Sequence, residues 1–190
     1  MNGQKMGLLH LWVLGAAFAL VNAGGGAALA QTLPDAAPPP PVDQAQDPNR
    51  GAVTNLPLPR YVTLKTNEGN ARRGPGLTHR IDWVFTRAGM PLRITAEYEN
   101  WRRVEDADGL GGWVHFALLS GVRAVLITQA MTDFHATPQE TAPIVLRAEA
   151  DVIAKLLECQ PDWCRLNVNG EKGLVRKAAL WGVEADEIVE

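Results

Sequence analysis

The chain has 190 residues, of which 46% are hydrophobic and 21% charged, enough for one or two small globular domains once any leader is removed. Its net charge of −3 argues against general affinity for nucleic acid. The charge is uneven: residues 60–123 carry ten Lys and Arg against seven Asp and Glu, and residues 124–190 carry six against eleven. Either the halves face different neighbours or each other, or the imbalance is a scatter of solvated side chains.

Residues 1–30 read as a signal peptide. Lys5 is their only Lys or Arg, Leu8 to Val21 is mostly apolar, and Ala28-Leu29-Ala30 suits cleavage before Gln31. The competing reading is a retained anchor, because Met6 to Ala30 is long enough to span a bilayer. Both readings export the remainder, to the periplasm or beyond. With cleavage after Ala30 no stable membrane span is left. Residues 31–59 read as a disordered linker. They hold eight of the thirteen prolines and no aromatic residue, so they bury little and favour extended polyproline II.

Order is expected from Arg60. Tyr61 to Lys65 alternates and is β-rich, and Asn70-Ala71-Arg72-Arg73-Gly74-Pro75-Gly76 runs from a strand end into a turn. Ile81 to Thr86, Leu92 to Tyr98, Trp101 to Val104 and Gly112 to His115 are further strand candidates, cut by glycine turns. Short strands at this spacing indicate an all-β barrel or sandwich.

The pattern then repeats. Residues 101–121, WRRVEDADGLGGWVHFALLSG, align with residues 163–182, WCRLNVNGEKGLVRKAALWG. Trp101 to Gly112 spans eleven residues and Trp163 to Gly173 ten, so one turn residue is missing between matching strands. In the second copy Ala124 to Thr128 reads as a strand and Asp133 to Pro143 as a loop. Ala148 to Leu157 has helical composition, but its echo of residues 88–98 makes its second half a strand.

Asn70-Ala71-Arg72-Arg73-Gly74-Pro75, then Gly89, Trp101, Gly112-Trp113-Val114 and Leu118-Leu119, resembles a bacterial SH3-like domain. The stretch is similar to an exported alphaproteobacterial subgroup of small SH3-domain proteins. The likeness covers about residues 60–182. In its second part Leu174 stands where a tryptophan is usual. The resemblance implies two tandem SH3-like small β-barrels, each of five or six strands, at 60–122 and 123–183, followed by a tail at 184–190. It also implies binding or targeting at the cell envelope, since in better-understood relatives such domains hold cell-wall hydrolases on peptidoglycan. The likeness here is to the adaptor.

Cys159 and Cys164 are the only cysteines and flank Gln160-Pro161-Asp162-Trp163. If Pro161-Asp162 is a turn, the two cysteines face each other within disulfide range, and export makes oxidation the expected state. A redox or metal site is the alternative, although two cysteines cannot complete a tetrahedral zinc site. In the first copy the matching positions are Glu97 and Arg102, an opposite-charge pair in place of the bond.

No catalytic constellation stands out. His79, His115 and His135 are isolated in sequence, and neither a Gly-x-Ser-x-Gly elbow nor a phosphate-binding glycine loop occurs. No cofactor or metal is therefore expected. Seven aromatic residues crowd the first copy, more than a small core needs. Those beside arginines would form a binding surface. The candidate ligand-binding residues are Arg72, Arg73, Trp83, Tyr98, Trp101, Arg102, Trp113 and His115. The expectation is a non-enzymatic exported adaptor that recognises peptidoglycan or an envelope protein. The alternatives are a structural subunit whose aromatics make protein contacts, and a small cell-wall hydrolase.

Overall fold

The computed structural model describes residues 47–190. The leader, its cleavage point and the first part of the linker lie outside the described residues. Among those described, no helix is long and apolar enough to cross a membrane.

The first barrel runs β1 (Arg60–Leu64), β2 (Gly69–Arg72), β3 (Ile81–Phe85), β4 (Pro91–Tyr98), β5 (Trp101–Glu105), β6 (Gly111–His115), a 3₁₀ turn (Phe116–Leu118) and β7 (Leu119–Ser120). The second repeats it as β8 (Ala124–Ile127), β9 (Met131–His135), β10 (Ile144–Glu149), β11 (Ile153–Cys159), β12 (Trp163–Val168), β13 (Glu171–Arg176), a 3₁₀ turn (Lys177–Ala179) and β14 (Leu180–Trp181). Each makes a seven-stranded antiparallel sheet, in the orders β3-β2-β6-β5-β4-β1-β7 and β10-β9-β13-β12-β11-β8-β14. The duplication is complete to the last element. The count exceeds the expected five or six because the chain leaves each 3₁₀ turn extended and lays two residues on the barrel's first strand.

The missing turn residue falls where the repeat placed it. Glu105–Gly111 encloses five residues and the matching pair Asn167–Lys172 four, of which Val168 and Glu171 pair again around Asn169-Gly170. Asn169 and Gly170 both have positive φ, 52° and 99°, as a two-residue hairpin turn requires. The stretch with helical composition is two strands parted by a sharp turn at Asp151 (φ 65°), and Gly89 (φ 80°) makes the matching turn before β4. One expectation is corrected: Asp133 to His135 belong to β9 rather than to a loop. The polar Asp133 and His135 masked the strand, but Phe134 between them is fully buried.

Each barrel closes over its own apolar cluster, built around Phe85, Leu92, Val104 and Val114 in the first and Phe134, Ile127, Leu166 and Val175 in the second. The large aromatic changes strands between copies. Gly69 pairs with Phe85 where Thr132 pairs with Ala148, and Ala71 pairs with Trp83 where Phe134 pairs with Leu146. The first core is therefore filled by Phe85 beside a small Ala71, and the second by Phe134 beside a small Ala148. Gly173 gives the second arrangement its room, since a Cβ there would lie 2.7 Å from that of Phe134.

Cys159 pairs with Cys164 across β11 and β12, and the two form a disulfide with Cα atoms 4.1 Å apart. Glu97 pairs with Arg102 at the same place in the first barrel, joined by an ion pair of 3.4 Å. Reducing the bond lowers stability by about 2 kcal/mol, because the closed loop is short. The check is a drop in urea midpoint with dithiothreitol and no change in slope.

Residues 47–59 correct the linker reading. They turn back onto the first barrel, where Glu97 accepts the Val53 amide at 3.0 Å, the Thr54 amide at 2.8 Å, the Thr54 hydroxyl at 2.7 Å and Arg60 at 2.5 Å. Composition marked the segment as unable to fold by itself, but a buried carboxylate organises it from outside. The C-terminal tail is held similarly. Val189 exchanges backbone hydrogen bonds of 2.7 and 3.0 Å with Cys159, and Glu187 pairs with Arg123.

The two barrels belong to one compact unit, Gln44–Glu190. Tyr61 meets Trp181 edge to face at 5.3 Å, Arg123 lies 5.7 Å over the Tyr61 ring, and Arg87 donates to the Asp151 carbonyl at 2.9 Å. Burial, followed by the charge of Glu184, raises the pKa of the Tyr61 phenol, so it stays protonated at neutral pH.

Candidate functional site

Strand alternation sorts the candidate residues. Arg102 and Val104 of β5 point inward, so Trp101 and Arg103 point outward. Tyr98 and His115 lie opposite Trp101, and Trp113 lies opposite both Arg103 and Arg72. Two rows of the outer sheet surface result: Tyr98–Trp101–His115, and beside it Arg103–Trp113–Arg72. Phe116 extends the first row, with its ring 5.0 Å from that of His115.

Within this face the parts differ in freedom. Trp101 is only 8% exposed and meets the His115 ring edge to face at 5.5 Å. His115 Nδ1 accepts the Ala117 amide at 3.3 Å, which leaves Nε2 as the N–H donor of the neutral ring. Arg72 donates to the carbonyls of Leu77 (3.1 Å) and His79 (2.7 Å), and so holds the Gly74-Pro75-Gly76 turn. Tyr98 at 52% and Phe116 at 48% exposure stand out from the sheet, and Arg103 is exposed in the second row. The arrangement is a shallow platform of aromatic faces with a cation and an N–H donor. It suits stacking and hydrogen bonding to a neutral or anionic surface.

Five of the eight candidates, Arg72, Tyr98, Trp101, Trp113 and His115, share this face. Three do not. Arg102 is a correction: it is buried at 7% exposure, donates to the Glu99 and Trp101 carbonyls, faces Glu97, and touches the face only through Phe116, whose ring centre is 5.9 Å from its guanidinium. A residue next to Trp101 on a strand cannot share its face. Trp83 lies opposite the inward Ala71, at the core rim. Arg73 sits beside the edge strand and pairs with Asp82 at 3.0 Å, and this hydrogen bond, with that of Arg80, lowers the Asp82 pKa. Arg103 and Phe116 complete the face; the sequence offers them among the arginines and surplus aromatics of the first copy but does not single them out as candidates. Period-two counting from Trp101 would have found Arg103. Phe116 lies past the strand end, where that periodicity stops.

The second barrel differs at the same positions. Trp163 replaces Trp101, His135 replaces Arg72 and meets Trp163 edge to face at 5.7 Å, and Arg176 replaces His115 and lies 4.5 Å over the Trp163 ring. Leu174 takes the place of Trp113, and Arg176 in turn pairs with Glu140 at 2.9 Å. This face is covered by its own cation. An open concavity of 770 Å³ lies nearby, lined by Gln129, Glu140, Asp162, Arg176, Lys177 and Ala185 among others. Its Lys177 ammonium is already bound to the carbonyls of Ala185 (3.2 Å) and Glu187 (2.7 Å). Among the described residues, no group of three or more His, Cys, Asp or Glu side chains is placed to hold a metal, and both cysteines are in the disulfide.

Fold and face together define a tandem small-barrel protein with an aromatic platform on one copy. A family model for the bacterial SH3 domain matches residues 65–121 and again 134–182, and the chain belongs to that family. No curated protein matches it. Among solved structures it is similar to NlpC2 from Trichomonas vaginalis (16% identity, TM-score 0.31, 65% of this chain and 48% of that one) and to NlpC1 from the same organism (17%, 0.32, 69% and 48%). It is also similar to an NlpC/P60 family protein from Bacillus cereus ATCC 10987 (12%, 0.29, 64% and 55%). The chain spans about half the length of these proteins.

Proposed function

We propose that this chain is a non-enzymatic, exported binding protein of the cell envelope, which holds peptidoglycan on the outer aromatic face of its first barrel. The observation that supports this reading is the exposure of Tyr98 and Phe116 at the two ends of the row through Trp101 and His115, beside the row of Arg103 and Trp113. Such rings are costly to leave in water and are common anchors in binding surfaces. Membership of the bacterial SH3 family supports the envelope setting, and the apolar leader supports export. An envelope protein is the other occupant that the same face would suit.

Co-sedimentation with purified sacculi tests this. The wild-type chain is expected to pellet with the sacculi. Trp113→Ala, and Tyr98→Ala with Phe116→Ala, are each expected to weaken binding by about tenfold or more while keeping the wild-type melting temperature. Arg102→Ala is the contrasting variant: it lowers the melting temperature, because it removes a buried partner of Glu97. Absence of wild-type binding to sacculi overturns the peptidoglycan reading. Retention of an envelope protein in a pulldown, lost in Trp113→Ala, would then assign the face to that partner.

A further inference from the structure

The hairpin β2–β3 and its copy β9–β10 each end a sheet. Their outer strands, β3 and β10, have one neighbour apiece, and no described strand pairs along the other side. Both carry apolar side chains in the open. Ile81 is 44%, Trp83 40% and Val84 40% exposed on β3, and Ile144 is 43% and Val145 46% exposed on β10. A strand edge of free N–H and C=O groups with apolar flanks is a template for another strand. Of the devices that blunt such an edge, lysine and proline occur in neither β3 nor β10, while a β-bulge and a charged side chain shorten the free edge of each without removing it.

The two edges carry opposite charge. Residues 69–87 hold Arg72, Arg73, Arg80 and Arg87 against Asp82, a net of +3. The equivalent residues 132–150 hold Arg147 against Asp133, Glu140 and Glu149, a net of −2. The groups are on the surface: the Arg73 and Arg80 side chains are 62% and 66% exposed, and that of Glu140 is 71%. Equivalent elements of a duplicated fold thus present the same backbone edge with inverted charge. Each repels a copy of itself and attracts the other.

We propose that the chain associates with a second copy of itself, β3 of one pairing edge to edge with β10 of the next. The contact is heterologous, so each pair leaves one β3 and one β10 open. Each strand also starts at a β-bulge, which leaves Trp83–Phe85 and Leu146–Glu149 in regular register. The pairing surface is short, and the association is correspondingly weak and sensitive to salt.

Sedimentation velocity on the compact unit Gln44–Glu190, which contains both cores, tests the proposal. The average mass is expected to rise with concentration in about 20 mM salt, and to fall toward the monomer in about 0.5 M salt. Arg73→Glu with Arg80→Glu makes the first edge acidic, and Glu140→Lys with Glu149→Lys makes the second basic. Each variant alone is expected to weaken association by about tenfold or more. An equimolar mixture of the two is expected to restore association that neither variant shows alone. In it the basic β3 of one variant meets the acidic β10 of the other, and the reversed β3 and β10 that remain are again of opposite charge. A wild-type protein that stays monomeric at about 1 mM in low salt overturns the proposal. So does a mixture that fails to pair while both variants keep their melting temperatures, or a dimer that persists in each variant alone, which would mean like-with-like contact.

Discussion

Glu97→Gln is expected to lower the stability of the first barrel by about 3 kcal/mol at neutral pH. Burial pushes the Glu97 carboxyl up, but hydrogen bonds from the Thr54 amide and hydroxyl, Arg60 and the Val53 amide outweigh it and hold the pKa at about 2. The drop from 4.5 to about 2, at ~1.4 kcal/mol per pH unit, gives ~3 kcal/mol. The folded pKa lies below the unfolded one, so this contribution is complete above 4.5 and is lost as pH falls toward 2. Urea melts of wild type and variant should therefore differ at pH 7 and converge near pH 2. A gap of constant size would mean that shape rather than charge matters. Limited proteolysis gives a second readout, because the same carboxylate holds residues 53 and 54. Glu97→Cys with Arg102→Cys copies the second barrel's disulfide onto a matching strand pair. That variant should recover barrel stability under oxidation while cleavage between Arg50 and Pro59 stays fast. Crosslink and strap are thereby separated.

Phe134→Ala is expected to cost about 3–5 kcal/mol, since it empties the centre of the second core. The duplication supplies its own rescue. Phe134→Ala with Ala148→Phe moves the ring to the strand that carries it in the first barrel, and core volume is conserved. The double variant should come within about 1.5 kcal/mol of wild type, as volume-conserving exchanges do. The first barrel has Gly112 where the second has Gly173, but a Cβ at Gly112 would meet the Arg72 carbonyl at 2.5 Å and not the residue 71 side chain, so the reverse exchange there has no matching room. Thermal melts of single and double variants decide the matter. A double variant no better than Phe134→Ala would mean that the cores differ in backbone rather than in which strand fills them.

The repeat, the β class, the disulfide and the Glu97–Arg102 substitution were all legible in the sequence. They are local in register: alternation, turn residues and the offset from Trp101 to Trp163 specify them without knowledge of distant neighbours. Even the Asn169-Gly170 turn follows from residue type. What depends on distant residues was not legible. The segment 47–59 has the composition of a linker, and only its meeting with Glu97, more than forty residues away, gives its amides a partner. Arg102 and Arg103 are equivalent as letters, and strand direction sends one into the barrel and the other onto the aromatic face. The opposed charges of the two hairpins were visible only as an imbalance between halves. They became edges once the sheet order placed β3 and β10 at the end of each barrel. The sequence determined most of the strands and their turns, β9 excepted, because those are short-range choices of backbone and side chain. The tertiary structure decided which residues are spent inside and which are left for a partner, because burial is a property of the assembled sheets.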